Sequence, residues 1–205
     1  SVTVGETKPT ITSSSFTIAP STSSTITIAG TNFISVPIVE AISSTGAITR
    51  ATAVTFTSST SINATFSLTN GSYFLRVENN DGNAVRTSSA ILSVSSAPSW
   101  TTSAGSLGTF SAGATISGLN VVATSDSNVT ITEVTSPLTL TGNTDTPAST
   151  MNLNLSGTPG TTATYTISGT APSPTSQTTY SFNLRATDVE SQTADRTFSI
   201  TISVG

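Results

Sequence analysis

The stretch Phe198-Ser199-Ile200-Thr201-Ile202-Ser203-Val204 alternates apolar and hydroxyl-bearing residues without a break. Successive side chains of a strand point to opposite faces, so a period of two marks a strand with one face buried. The same alternation recurs in Thr25-Ile26-Thr27-Ile28, Val54-Thr55-Phe56-Thr57 and Tyr73-Phe74-Leu75-Arg76-Val77. Further along it returns in Val129-Thr130-Ile131-Thr132, Leu138-Thr139-Leu140-Thr141 and Met151-Asn152-Leu153-Asn154-Leu155. No window carries apolar residues at i, i+3, i+4 and i+7 between caps, so essentially no α-helix is expected.

Turn chemistry separates these runs. Asn70-Gly71 and Asp81-Gly82 tolerate positive φ, and Ala29-Gly30-Thr31-Asn32, Gly142-Asn143 and Gly157-Thr158-Pro159-Gly160 add further breaks. About seven strands fall between Pro9 and Val94 and a similar number between Trp100 and Val204. The expectation is an all-β chain of two tandem immunoglobulin-like β-sandwiches. An N-terminal arm over residues 1–8 precedes sandwiches over residues 9–95 and 98–205, with Ser95-Ser96-Ala97-Pro98 as the boundary. In such folds a Tyr near the start of the penultimate strand bonds back to the backbone across a corner. Tyr73, behind Leu68-Thr69-Asn70-Gly71-Ser72, and Tyr180, ahead of Phe182 and Leu184, are the candidates.

Composition narrows the chemistry. Only 8% of the 205 residues are charged and 35% are hydrophobic, while Ser and Thr make up roughly two-fifths. With a mean hydropathy of +0.13 and β-branched, regularly spaced apolar residues, the chain reads as folded with a hydroxyl surface. There is no His and no Cys, which removes the commonest general base, the usual zinc ligands and the thiol nucleophile. A Ser-His-Asp constellation cannot form, no Gly-x-Ser-x-Gly elbow occurs, and Lys8 is the only lysine. The few acids fall at predicted turns, so no enzyme is expected. A net charge of -4, with Arg50, Arg76, Arg86, Arg185 and Arg196 scattered, offers no stripe for nucleic acid. No apolar run nears the roughly 20 residues of a membrane span. Residues 1–9 carry neither a basic nor an apolar leader segment, as expected of a cytoplasmically made chain, of one already processed, or of an excised fragment.

Two resemblances follow from quoted motifs. Residues 9–95 resemble an IPT/TIG module through Pro9-Thr10-Ile11, Ile26-Thr27-Ile28-Ala29-Gly30-Thr31-Asn32-Phe33 and the run from Gly71-Ser72-Tyr73 through Val77-Glu78-Asn79-Asn80-Asp81-Gly82. Ala29 stands where that family usually has Gly. Residues 98–205 resemble cadherin-like, putative-Ig modules through Pro98-Ser99-Trp100, Leu155-Ser156-Gly157-Thr158-Pro159, the run from Tyr180 to Asp188, and Phe198 to Ile202. The phrase Trp100-Thr101-Thr102-Ser103-Ala104-Gly105-Ser106-Leu107-Gly108-Thr109-Phe110 resembles repeats in virion structural proteins of cyanophages.

Candidate sites are few. The cadherin-like resemblance raises calcium, for which Asp188 and Glu190, two residues apart, and Asp126 in Ser125-Asp126-Ser127-Asn128 are the candidate ligands. A calcium site needs six to eight oxygens, and the full cadherin ligand set is missing, so the baseline expectation is no metal and no cofactor. Trp100, the single tryptophan, is expected to cap the second core or cement the domain junction. Asn63, Asn70, Asn128 and Asn154 head glycosylation sequons, which chance supplies in so Thr-rich a chain. Loops 142–149 and 171–177 are the expected contact tips.

The resemblances imply a non-enzymatic phage structural protein displayed on the virion surface, as a fibre or appendage component or a capsid decoration. Its expected partners are other virion proteins or its own copies in a homo-oligomer or repeated assembly, with host surface glycans as a further candidate. Neither nucleic acid nor membrane is among them. The arm over residues 1–8 is a candidate for adding a strand to a neighbouring subunit. The alternative is a bacterial extracellular adhesin or surface-filament subunit using the same folds.

Overall fold

The computed structural model describes residues 7–135 and 151–204. Most of the arm, the strand expected at 138–141, the Gly142-Asn143 turn and the contact loop at 142–149 lie outside the described residues. The chain divides into two compact units, Ser1–Ser96 and Ala97–Gly205. None of the described residues is helical.

In the first unit, one sheet joins β1 (Thr10–Ile11), β3 (Ser24–Thr31), β7 (Ser61–Phe66) and β6 (Ala53–Ser58) in the order β1-β3-β7-β6. The other runs β2 (Phe16–Ile18), β10 (Leu92–Val94), β8 (Gly71–Glu78), β4 (Ile38–Ser43) and β5 (Ile48–Arg50), with β9 (Ala84–Arg86) also paired to β8. The chain enters in the first sheet as β1 and switches to the second as β2, which lies parallel to β10. That split first strand, with its parallel contact, is a two-sheet closure that local alternation does not reveal. Ile28, Ile62, Phe66, Leu75 and Leu92 are wholly buried in this unit's core.

The second unit repeats the device. β11 (Ser99–Trp100) pairs antiparallel with β13 (Thr115–Thr135), whereas β12 (Gly105–Ser111) runs parallel to β17 (Thr193–Ser203). The full order is β12-β17-β16-β13-β15-β14, with β14 at Asn154–Gly157, β15 at Gly160–Thr170 and β16 at Thr178–Thr187. The alternating run at Val129 is therefore not a separate strand. It is the far end of the 21-residue β13, whose first part pairs with β15 and whose last part pairs with β16. The register shifts between Thr124 and Val129, so the polar Ser125-Asp126-Ser127-Asn128 forms the corner where one strand passes between layers. The Met151–Leu155 expectation is also corrected. Met151 and Leu153 are buried, but Asn152 sits at φ 51° and pairing starts only at Asn154.

Both tyrosines are buried, yet only one closes a corner. The Tyr73 hydroxyl donates to the Thr69 carbonyl at 2.9 Å, four residues upstream. The Tyr180 hydroxyl is buried with no hydrogen-bond partner among the described residues, which corrects the expectation for it. The carbonyl four residues upstream, Ser176, accepts instead from Thr178 Oγ1 at 2.9 Å. Tyr73→Phe should thus cost about 1 kcal/mol, while Tyr180→Phe should be neutral or stabilising. Chemical-denaturation midpoints of the two variants check this; equal losses would refute the distinction.

Candidate functional site

The motif residues of the first unit meet in space. At Gly30 on β3 a Cβ would lie 2.0 Å from the Thr10 carbonyl oxygen and 2.4 Å from the Phe33 ring, so glycine lets β1 and Phe33 close on this strand. Phe33 is 2% exposed, and the turn that follows is held from the β8–β9 connection. Asn79, itself 2% exposed, donates to the Asn32 carbonyl at 2.7 Å and accepts from the Ile34 amide at 3.1 Å. Asn80 donates to the Ser35 carbonyl at 2.7 Å, and Ile34 and Val36 stand exposed on the clamped turn. Two sequence stretches joined by hydrogen bonds spanning 45 to 47 residues thus build one clamped loop tip.

Charge in this unit is segregated by sheet. Strands β1, β3, β6 and β7 contain no charged residue. Their outward positions are filled by Thr, Ser, Asn and Ala, and the hydroxyls bond to one another across strands. Thr25 and Thr65 meet Oγ1 to Oγ1 at 2.8 Å, as do Thr10 and Thr31, and Thr27 donates to Asn63 Oδ1 at 2.8 Å. The other sheet carries the ions. Arg76 bridges Glu40 at 2.8 Å and also pairs with Glu78, which raises its pKa above the ordinary arginine value. Arg86 lies over the Phe74 ring at 4.2 Å.

The calcium candidates come to one corner of the second unit but bond to protein groups. Asp188 is 6% exposed and accepts from the Gln192 amide at 2.7 Å and from Gln192 Nε2 at 3.1 Å, closing the β16–β17 turn. Glu190 accepts from Ser127 Oγ at 2.6 Å, which ties that turn to the β13 corner, and Asp126 accepts from Ser125 Oγ at 3.2 Å. Among the described residues no three His, Cys, Asp or Glu side chains gather to hold a metal. Trp100 lies in the second unit's core at 8% exposure, donates Nε1–H to the Ala194 carbonyl at 2.9 Å and packs edge-on to Phe198 at 5.3 Å. In the 171–177 loop the first residue, Ala171, is buried and bonded to Ala114, so only the later part is exposed.

The chain has neither His nor Cys, the side chains whose ordinary pKa values lie nearest neutrality. Asp81 is held below the usual carboxylate range by hydrogen bonds from Asn83, and Asp195 by its paired bonds from Arg185 at 2.7 and 2.8 Å. A depressed carboxylate stabilises the fold above its unfolded value and loses that contribution as pH falls through its folded value. Melting temperature should therefore stay flat from about pH 5.5 to 8.5 and fall only below about pH 4. Scanning calorimetry across pH checks this; a step near neutrality would refute it.

A polar cleft that the sequence reading missed lies at the far end of the first unit from the Asn79 clamp. It has a volume of about 380 Å³ and sits between the β4–β5 and β7–β8 turns. These turns are brought together by the Ser43–Tyr73 register of β4 and β8. Ser44, Thr45, Thr49, Asn70 and Ser72 line it above Tyr73, and no lining residue is charged.

No protein-family model matches the chain, and no curated protein does. Solved structures do. A three-domain immunoglobulin structure of titin, an E-to-A variant, aligns at a TM-score of 0.50 and 12% identity over 95% of this chain. The fold is immunoglobulin-like. Extracellular domains 3–5 of Drosophila OTK align at a TM-score of 0.48 and 11% identity over 97% of this chain. This chain spans 65% of the titin structure and 60% of the OTK structure, and at such identities the likeness concerns the fold alone.

Proposed function

We propose that this chain is a non-enzymatic structural protein of a phage particle, displayed on the virion surface as a fibre or appendage component or as a capsid decoration. The first unit serves as an IPT/TIG-like module over residues 9–95 and the second as a cadherin-like module over residues 98–205. The role calls for no cofactor.

One observation carries the reading: the outer face of the β1-β3-β7-β6 sheet is free of charge, and its hydroxyls bond to each other. Interface cores are depleted of charged residues, and a polar group already bonded within its own protein costs little to remove from water. Such a face suits repeated contact with copies of this chain or with neighbouring virion proteins. The clamped Ile34–Val36 tip offers a second, more apolar contact. Few basic residues leave few trypsin sites, which suits long exposure outside a cell.

Immunogold electron microscopy of the source material, with antibody raised against residues 1–205, tests the reading. Gold on phage particles is the expected result, and its position on head or tail separates decoration from fibre. Gold along cell envelopes or filaments, with clean particles, overturns it in favour of a bacterial adhesin or surface-filament subunit.

A further inference from the structure

The cleft between the β4–β5 and β7–β8 turns is unlike the rest of the surface of its sheet, which carries Glu40, Arg50, Arg76, Glu78 and Arg86. Its lining is neutral throughout and made of hydroxyls, one amide and small residues. Some of these groups are occupied in building the walls. Ser43 Oγ bonds to Thr45 Oγ1 at 2.9 Å and accepts from the Ala47 amide at 3.1 Å, which shapes the first turn. The Tyr73 hydroxyl donates to the Thr69 carbonyl and lies 3.2 Å from Thr69 Oγ1, which shapes the second. Three others, on Ser44, Thr49 and Ser72, are engaged in no hydrogen bond among the described residues. Gly71 places no side chain beside the Tyr73 ring, where a Cβ would lie 3.7 Å from Cε2.

We infer that this cleft binds a neutral pyranose, presented as a residue of a surface glycan. A hydroxyl both donates and accepts, so a lining of Ser and Thr matches a ligand whose own groups are hydroxyls. A charged ligand would leave water for a site that holds no counter-ion, which is costly. The volume is at the lower end of the range for small-molecule sites and fits one sugar ring. Walls fixed by their own hydrogen bonds keep the ordering cost of binding low, yet so small and open a contact limits affinity to about the millimolar range. The inference gives the proposed surface role a ligand class and rests on that role only for the origin of the glycan.

Amide chemical-shift mapping on the isotopically labelled full chain tests it. The probes are the methyl glycosides of glucose, galactose, mannose and N-acetylglucosamine, with glucuronate and glucosamine as charged counterparts and the corresponding neutral oligosaccharides as chain-presented forms. The expected result is saturable shifts confined to residues 43–49 and 69–73 with at least one neutral sugar, and binding about tenfold weaker for the charged forms. An oligosaccharide that binds at least as well as its monosaccharide is expected of a glycan site. A free sugar that loses affinity on incorporation into a chain would overturn the glycan assignment. Ser72→Lys and Thr49→Arg, both at exposed positions, should abolish the shifts while leaving the rest of the spectrum in place. Absence of shifts in these two turns with every neutral sugar, or equal shifts with charged and neutral forms, overturns the inference. The immunogold result is independent of all these outcomes, so a failed cleft and a failed virion assignment are told apart.

Discussion

Replacing Phe198 with Ala should destabilise the Ala97–Gly205 unit by about 3–5 kcal/mol, the largest effect expected of any single truncation here. Phe198 is fully buried, meets Trp100 edge-on at 5.3 Å and lies 6.2 Å from Phe182. Its removal takes away transfer free energy and leaves a cavity that two rigid aromatic neighbours and the surrounding strands cannot collapse into. Trp100 is the only tryptophan, so its fluorescence in urea reports this unit alone. A midpoint shift worth under about 1 kcal/mol would mean that the packing around Phe198 is looser than described.

The second large effect is expected at Gly30. In Gly30→Ala the new Cβ would be placed 2.0 Å from the Thr10 carbonyl oxygen, and backbone is the atom least able to give way. Relief requires β1 to move off β3, losing the Thr10–Thr31 and Ile11–Gly30 pairs and the bond from the Thr12 amide to the Ala29 carbonyl. A loss of about 2–4 kcal/mol is expected. Ala29→Gly, one residue away and pointing outward, should cost only about 0.5–1 kcal/mol through backbone entropy. Amide hydrogen exchange on the full chain reads both, with protection along β1 and β3 collapsing in the first variant and nearly unchanged in the second. Similar losses in the two variants would refute the steric account.

Much of the fold was legible because period two is enforced wherever one face of a sheet is buried. Strands β3, β8 and β17 match their alternating runs for this reason, and the absence of helix among the described residues follows from the same pattern. Elsewhere the pattern was silent. Ser125-Asp126-Ser127-Asn128 has turn chemistry, yet the chain runs through it extended, since an exposed corner imposes no apolar period. Asn152 interrupts an alternating run by its left-handed backbone, a conformation that composition does not encode. The cleft was illegible for another reason. Its walls come from segments distant in sequence, Ser43 to Thr49 and Thr69 to Tyr73, joined through the Ser43–Tyr73 register, and each wall alone reads as an ordinary polar turn.

The corner in β13 has a mechanical meaning. A sandwich is usually two sheets adhering through side chains, with connections that can flex as the layers slide. In the second unit one backbone belongs to both layers, giving part of its length to β15 and part to β16. Shear between those layers is thus resisted by covalent bonds through residues 124–129, with Ser127 pinned to Glu190 beside them. Loads that would slide two glued plates must here bend a continuous strand.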